Sequence, residues 1–176
     1  MKRAVQSFFL TAVLLFFVSA MAQAETLTPQ LCKDKAEAAA KLLEAEGAGA
    51  IDKIKDENGE FRFAGGEGYI WIHNLEGVMV MHPIKPSLDG RDLLDMKDIN
   101  GVYLFSAMNE LVEAKGKGWV PYAWPKPGQQ ESSPKVSYVI LVKKDGKNYV
   151  AGSGMYDVTA DDIKKMFPGD AIYSAE

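Results

Sequence analysis

The chain has 176 residues, 47% of them hydrophobic, and carries 24 acidic against 20 basic side chains, a formal charge of −4. That balance argues against nucleic acid or an anionic membrane surface as a partner. A single cysteine, Cys32, excludes an intrachain disulfide.

Lys2 and Arg3 open the chain, an apolar run follows from Phe8 to Ala20, and Ala22-Gln23-Ala24 closes the segment. This reads as a secretory signal peptide over residues 1–24, cut after Ala24, because the apolar run is shorter than the roughly 20 residues of a membrane-spanning helix. Cleavage leaves Glu25 to Glu176, enough for one domain with a sizeable core. Lys2 and Arg3 leave with the peptide, so 18 basic residues face 24 acidic ones in what remains. A soluble secreted protein is expected. Cys32 follows the cut without the small-residue context of a lipoprotein site. It is read as a buried small residue on the first helix, with an intermolecular disulfide as the rival reading.

Thr28-Pro29 predicts the cap and first turn of a helix, and the Ala-, Lys- and Glu-rich segment carries it to Glu46. Leu31, Ala38, Leu42 and Ala45 fall along one side. Gly47 and Gly49 interrupt the pattern before Ile51 and Ile54 resume it, so residues 25–55 are expected to form a long, partly broken helical segment ahead of a domain over 56–176. Phe61 and Phe63 suggest a short strand. From Gly68 to Pro86 two alternating runs meet at the turn Asn74-Leu75-Glu76-Gly77. Tyr69, Trp71 and His73 share one face of the first run, with Ile70 and Ile72 on the other. In the second run Val78, Val80 and His82 alternate with Met79 and Met81. Pairing His73 with Val78 sets Trp71 opposite Val80 and Tyr69 opposite His82.

Beyond the loop from Ser87 to Asp92, Asp98 is placed to cap a helix whose apolar stripe is Val102, Phe105, Met108, Leu111 and Val112, with Gly116 and Gly118 stopping it. A strand from Trp119 to Trp124 puts Val120, Tyr122 and Trp124 on one face, and Pro121 suits an edge. Pro125 to Pro134 reads as a loop. Asp145-Gly146 then marks a hairpin, with Lys144 opposite Lys147, Tyr138 opposite Ser153, Ile140 opposite Ala151 and Val142 opposite Tyr149. Its other face carries Val139, Leu141, Val150, Gly152 and Gly154. Thr159 and Asp162 begin a last short helix that Pro168-Gly169 ends. This order predicts an α+β domain, an antiparallel sheet with helices segregated from it.

His73 and His82 are the two histidines, and no cysteine or carboxylate cluster accompanies either at metal-ligand spacing. Asp89, Asp92, Asp95 and Asp98 do not follow the calcium-loop spacing and read as a solvated loop with a helix cap. No nucleophile elbow, phosphate loop or haem-attachment pair is present, so no metal, cofactor or catalysis is expected. An enzyme using His82 as a general base ranks last, for want of a second catalytic group. Binding is better supported. Tyr69, Trp71, His82, Lys85, Tyr122, Trp124 and Tyr138 put polar tips on large apolar bodies, the mix of a pocket that orients a polar ligand. A cation and an imidazole beside tyrosine hydroxyls suit a carboxylate, and Pro83 and Pro86 stiffen the segment carrying His82 and Lys85.

Gly68-Tyr69-Ile70-Trp71, Asn74-Leu75-Glu76-Gly77, His82-Pro83-Ile84-Lys85-Pro86, Gly90-Arg91-Asp92-Leu93 and Lys97-Asp98-Ile99-Asn100-Gly101 follow one another in a recognisable order. So do Gly116-Lys117-Gly118-Trp119 with Tyr122 and Trp124, Lys135-Val136-Ser137-Tyr138, and Gly152-Ser153-Gly154-Met155-Tyr156-Asp157. From Lys55 to Asp157 the sequence resembles the single Cache domain family. The resemblance implies a PAS-like antiparallel sheet, a long N-terminal helix and a ligand cavity on one sheet face. It also implies an extracytoplasmic sensor of small molecules, often short organic acids, as in bacterial chemoreceptors and histidine kinases. Carried onto this chain, the pocket comprises Tyr69, Trp71, His82, Lys85, Tyr122, Trp124 and Tyr138. Lys85 and His82 would hold the anion, and Trp71 and Trp124 would wall the apolar end. A secreted periplasmic domain that binds a short monocarboxylate is therefore expected. With the chain ending at Glu176, it would act in signal transduction and chemotaxis through a separate membrane-bound receptor or kinase. The alternative is a structural or interaction protein with an occluded pocket, forming a homodimer or docking through its N-terminal helix.

Overall fold

A computed structural model describes residues 25–174; the expected signal peptide and the last two residues lie outside them. Thr28 is extended, its Oγ1 accepts a hydrogen bond from the Leu31 amide at 3.1 Å, and Pro29 takes the first turn of α1, Pro29–Glu46. Gly47 adopts a φ of 57°, and a 3-10 turn over Gly47–Ala50 leads into α2, Ile51–Lys55. The helix is broken where the glycines predict. Its buried stripe, however, is Cys32, Ala36, Ala39, Ala40 and Leu43, rotated from the expected one. Leu31, Ala38 and Leu42 only flank it, and Ala45 is exposed. Short side chains let the helix axis approach the sheet closely, while the longer leucines seal the rims.

Two short strands, β1 Arg62–Phe63 and β2 Gly68–Tyr69, pair with each other. The main sheet is antiparallel and contains β3 Trp71–His73, β4 Met79–Met81, β5 Lys117–Pro125, β6 Ser132–Lys144 and β7 Lys147–Tyr156, in the order β4-β3-β7-β6-β5. α3, Leu104–Lys115, and α4, Ala160–Met166, complete the fold. β5 is an edge strand, so Pro121 deprives no neighbour of a hydrogen bond. The α4 capping box of Thr159 and Asp162 forms as expected.

The β6–β7 register agrees with the sequence reading pair for pair, from Lys144 opposite Lys147 to Tyr138 opposite Ser153. Asp145 and Gly146 both take positive φ, 51° and 72°, the turn geometry that Asp-Gly favours. The β3–β4 register differs from expectation. Ile72 faces Met81 and His73 faces Met79, which leaves Val80 as the extra residue of a bulge. Asn74 is the physical reason. Its backbone nitrogen donates to Val78 O at 3.0 Å and its Oδ1 accepts from Val78 N at 2.7 Å, so Asn74, and not His73, closes the turn on Val78.

Three smaller expectations also change. α3 begins after Tyr103 with no side-chain cap, and Asp98 serves the preceding loop instead. Its Oδ1 accepts from Asn100 N and Val102 N at 2.8 and 2.9 Å, and its Oδ2 from Ala123 N at 2.7 Å, tying the loop to β5. Gly116 does end α3, but Gly118 belongs to β5, where a Cβ would meet Ala171 O at 2.6 Å. β6 starts at Ser132, so the loop expected over 125–134 is shorter.

The sheet separates two apolar clusters. α1 lies across β6 and β7 on one face, packed with Ile70, Ile72, Trp119, Tyr138 and Ala151. α3 covers the other face, where Leu104, Phe105, Met108 and Val112 meet Tyr69, Trp71, Val120, Tyr122, Trp124, Val139 and Val150. Among the described residues no helix is long and apolar enough to cross a membrane.

Candidate functional site

Alternation along the strands puts Tyr69, Trp71, Tyr122, Trp124 and Lys135 on the sheet face that looks toward α3. Leu104, Phe105 and Met108 of α3 close over them, and His82 reaches in from the end of β4. Together these nine side chains line a cavity of about 10 Å³, room for about one water molecule. Gly152 makes the arrangement possible. It pairs with Trp71 across β3 and β7, and the indole lies so close that a Cβ at 152 would come within 2.2 Å of Trp71 Cζ2.

Lys135 dominates the chemistry. It is 1% exposed. Its Nζ donates to Tyr69 Oη at 2.9 Å and stands 4.6, 5.2 and 4.7 Å from the ring centroids of Tyr69, Trp71 and Tyr156. Among the described residues Lys33, Lys35, Lys53, Lys117 and Lys126 form ion pairs, and Lys135 forms none. Burial first, then repulsion from Lys85, brings its ammonium down to about 7, with the Cys32 thiol acting the other way. Tyr156 donates to Pro125 O at 2.9 Å, so the 3.4 Å contact between the Tyr69 and Tyr156 hydroxyls runs from Tyr69 as donor. Lys135, Tyr69 and Tyr156 thus form one directed chain of hydrogen bonds ending on a backbone carbonyl.

His82 is held as a neutral donor. Its Nδ1 accepts from Ile84 N and Lys85 N at 3.2 and 3.1 Å, which leaves the proton on Nε2. The ring packs 5.3 Å from Tyr69 and stacks on Trp124 at 6.2 Å. Burial, then Lys135 and Lys85, depress its pKa to about 3. His73 has a different task. Trp71 Nε1 donates to its Nδ1 at 3.3 Å, so Nε2 carries the proton and donates to Asn109 Oδ1 at 3.1 Å. Asn109 Nδ2 in turn donates to Leu75 O at 3.0 Å and Asn74 O at 3.4 Å. This relay fastens α3 to the β3–β4 turn and fixes the indole of Trp71.

Of the residues expected in the pocket, Tyr69, Trp71, His82, Tyr122 and Trp124 come together around the cavity. Lys85 stands outside that lining, its Nζ 4.4 Å over the Trp124 ring and its ammonium lowered by burial. Tyr138 is on the wrong face for this cavity. It is an even-numbered position of β6, so it points toward α1, where it packs on Trp119 and donates to Glu37 at 3.1 Å. Lys135, which the motif reading omitted, shares the parity of Ser137 and Val139. Following the Val139 face two alternate positions back along β6, through Ser137, identifies it. Tyr156, its cross-strand partner, was omitted for the same reason.

A five-stranded antiparallel sheet with a long N-terminal helix on one face and, on the other, a small aromatic cavity holding one lysine and one histidine defines the class. Residues 20–167 match the family described as Cache domain, and the chain belongs to that family. Methyl-accepting chemotaxis protein McpP of Pseudomonas putida is 40% identical over 101 residues, 57% of this chain and 18% of that protein. Methyl-accepting chemotaxis protein CtpM of Pseudomonas aeruginosa is 33% identical over 103 residues, 57% of this chain and 16% of that protein. The chain therefore spans less than a fifth of the length of the curated relatives it matches. Among solved structures, a periplasmic sensor domain of a chemotaxis protein superposes with a TM-score of 0.65 at 35% identity, over 74% of this chain and 95% of that one. A Cache chemosensory domain described with the structural basis of its carboxylic acid recognition gives 0.63 at 35% identity, over 73% and 92%.

Proposed function

We propose that this protein is a periplasmic sensor that binds a short monocarboxylate between the sheet and α3, with Lys135 as the anchor, and passes the signal to a membrane-bound receptor or kinase. The observation that carries the reading is the buried, unpaired ammonium of Lys135. A charge withdrawn from water costs several kcal/mol unless compensated, and a carboxylate would supply that compensation once the side chains lining the cavity, which now leave room for about one water molecule, move aside. His82 Nε2–H and the Tyr122 hydroxyl, which lies 2.9 Å from Ser137 Oγ, supply further hydrogen bonds, and Trp71, Leu104 and Met108 wall the alkyl end. Lys85, at the outer face of Trp124, adds positive potential without contact. So small a cavity favours the smallest acids, because each added carbon requires more displacement of the lining side chains. Carboxylic acid recognition by a structural neighbour supports the same class.

Titration calorimetry against acetate, propionate, lactate, pyruvate and amino acids tests this. Wild type is expected to bind one of the short acids and Lys135→Met to lose at least a hundredfold in affinity. Silence in wild type, or unchanged affinity in Lys135→Met, would overturn it. A second reading, a structural protein with an occluded pocket, is favoured by how completely aromatic side chains and Met108 fill the cavity. The same pair of titrations separates the two, since an occluded pocket binds none of these acids.

A further inference from the structure

Behind the inner cavity lies a much larger groove of about 570 Å³, bounded by Leu27, Arg62, Gly66, Lys126, Met155 and Tyr156. Tyr156 borders the groove, and Lys135 of the inner cavity stands 4.7 Å from the centroid of its ring. Arg62 Cζ, in the groove, stands 6.0 Å from the centroid of the Tyr69 ring, and Lys135 Nζ, in the cavity, stands 4.6 Å from the same centroid. The Tyr69 ring thus has a cation near it from each space, and its hydroxyl meets that of Tyr156 only at 3.4 Å.

The groove has an unmet electrostatic demand. Lys126 and Asp157 neutralise each other at 2.5 Å. Arg62 forms no ion pair among the described residues, Glu67 on the groove wall included, and its Nη1 is buried without a hydrogen-bond partner. The backbone around it is also unusual. Ala64, Gly65 and Gly66 take φ of 50°, 64° and 91° in succession, and Asp157 on the opposite wall takes 59°. Non-glycine residues in this region cost on the order of 1 kcal/mol or more each, and such strain gathers at ligand sites. A guanidinium with a free edge at the mouth of an enclosed cationic cavity is suited to a planar carboxylate.

The structure assigns the Arg62 groove as an outer carboxylate subsite, from which the ligand reaches Lys135 by parting the Tyr69–Tyr156 pair. The route rests on the function proposed above; the subsite does not, because Arg62 can be read alone. Arg62 and Arg91 are the two arginines beyond residue 24, so a ¹⁵N spectrum has two side-chain Nε–H signals to follow, assigned by their loss in Arg62→Lys and Arg91→Lys. In the Lys135→Met chain, where the inner anchor is gone, sodium propionate is expected to move the Arg62 signal saturably in the millimolar range. Sodium chloride at equal ionic strength should not move it, and Arg91 should stay still. A response shared with chloride or with Arg91 would overturn the subsite. If Arg62 saturates while the Trp71 indole of wild type ignores propionate, the sensor reading falls and the subsite stands. Stopped-flow tryptophan fluorescence on wild type reads the route. Arg62→Met should lower the association rate at least fivefold, with dissociation slowed in step and Arg62→Lys intermediate. Unchanged association in Arg62→Met would overturn the route.

Discussion

Lys135 has one hydrogen bond to Tyr69 and three aromatic faces around its ammonium but no carboxylate, so its buried charge is only partly compensated. Its amine titrates near 7 when folded and near 10.5 when unfolded, so between those values the unfolded chain holds a proton that the folded one has released. Folding stability must then rise with pH across that window, because its slope follows protons bound unfolded minus folded. Below pH 7 the full penalty of the buried charge applies, and above 10.5 it vanishes. Lys135→Met should raise the midpoint of thermal unfolding at pH 6 by an amount worth a few kcal/mol, with the advantage over wild type shrinking toward pH 9. Equal slopes for the two proteins would contradict this. The ligand reverses the balance. On the proposed function a carboxylate would bind the protonated amine, so binding is expected to take up close to one proton at pH 8 and almost none at pH 6. Calorimetry in buffers of different ionisation enthalpy reads that number directly. Cys32, Lys85, His82 and the hydroxyls of Tyr69 and Tyr156 are the other titratable groups around the amine. The thiol is raised to about 11, His82 is held at about 3 and the phenols are raised, so none of these four competes for the proton between pH 6 and 8, while burial lowers Lys85.

At the scale of elements, the pocket depends on how β3, β7 and α3 are locked together. Asn109 joins them by satisfying His73 Nε2–H and two carbonyls of the β3–β4 turn. Asn109→Leu leaves those buried groups unpaired and is expected to cost about 2 to 4 kcal/mol in a denaturant melt, while Ser106, whose hydroxyl bonds only Leu94 O at the helix surface, should cost about 1 kcal/mol or less when replaced by alanine. Gly152→Ala pushes a methyl into the Trp71 ring and should displace the indole, weakening ligand binding as well as the fold. The same elements explain what was legible in the sequence. The β6–β7 register could be read because Asp145-Gly146 demands one turn geometry and every pair outward follows from it. The β3–β4 register could not, because the Asn74 side chain competes with the ladder for Val78 and forces a bulge at Val80. Lys135 was legible in principle from strand parity. A lysine at a strand end is ordinarily exposed, and no sequence pattern announces that the pairing of β5 and β7 on either side will bury it.

At the scale of the whole molecule, the sheet is a single layer shared by two cores, so the segment over 25–55 cannot be weighed apart from the rest. α1 contributes Cys32, Ala36, Ala39, Ala40 and Leu43 to the cluster that covers Tyr138, Ala151 and the back of β6, the strand carrying Lys135 on its front. Polar ties add to the contact: Glu37 accepts from Lys117 and Tyr138 at 2.9 and 3.1 Å, and Lys33 reaches Asp170 at 2.6 Å. Pairs as exposed as Lys117 and Glu37 contribute at most about 1 kcal/mol, so apolar burial decides the outcome. Removing α1 uncovers a sheet face lined by Ile70, Ile72, Trp119 and Tyr138, a contiguous apolar surface that a monomer does not tolerate in water. A chain beginning at Asp56 is therefore expected to lack a cooperative thermal transition and to bind dyes that report exposed apolar surface, whereas a chain beginning at Glu25 unfolds cooperatively. Should the shorter chain melt cooperatively and still bind propionate, the pocket would be independent of α1. β6 carries Lys135 on one face and Tyr138, which donates to Glu37 of α1, on the other, so on the proposed function a carboxylate that draws Lys135 toward itself would act on the strand against which α1 packs. Slowed amide exchange in α1 on addition of propionate is the expected outcome, and exchange unchanged by a ligand that binds would show that the strand does not carry the signal to α1.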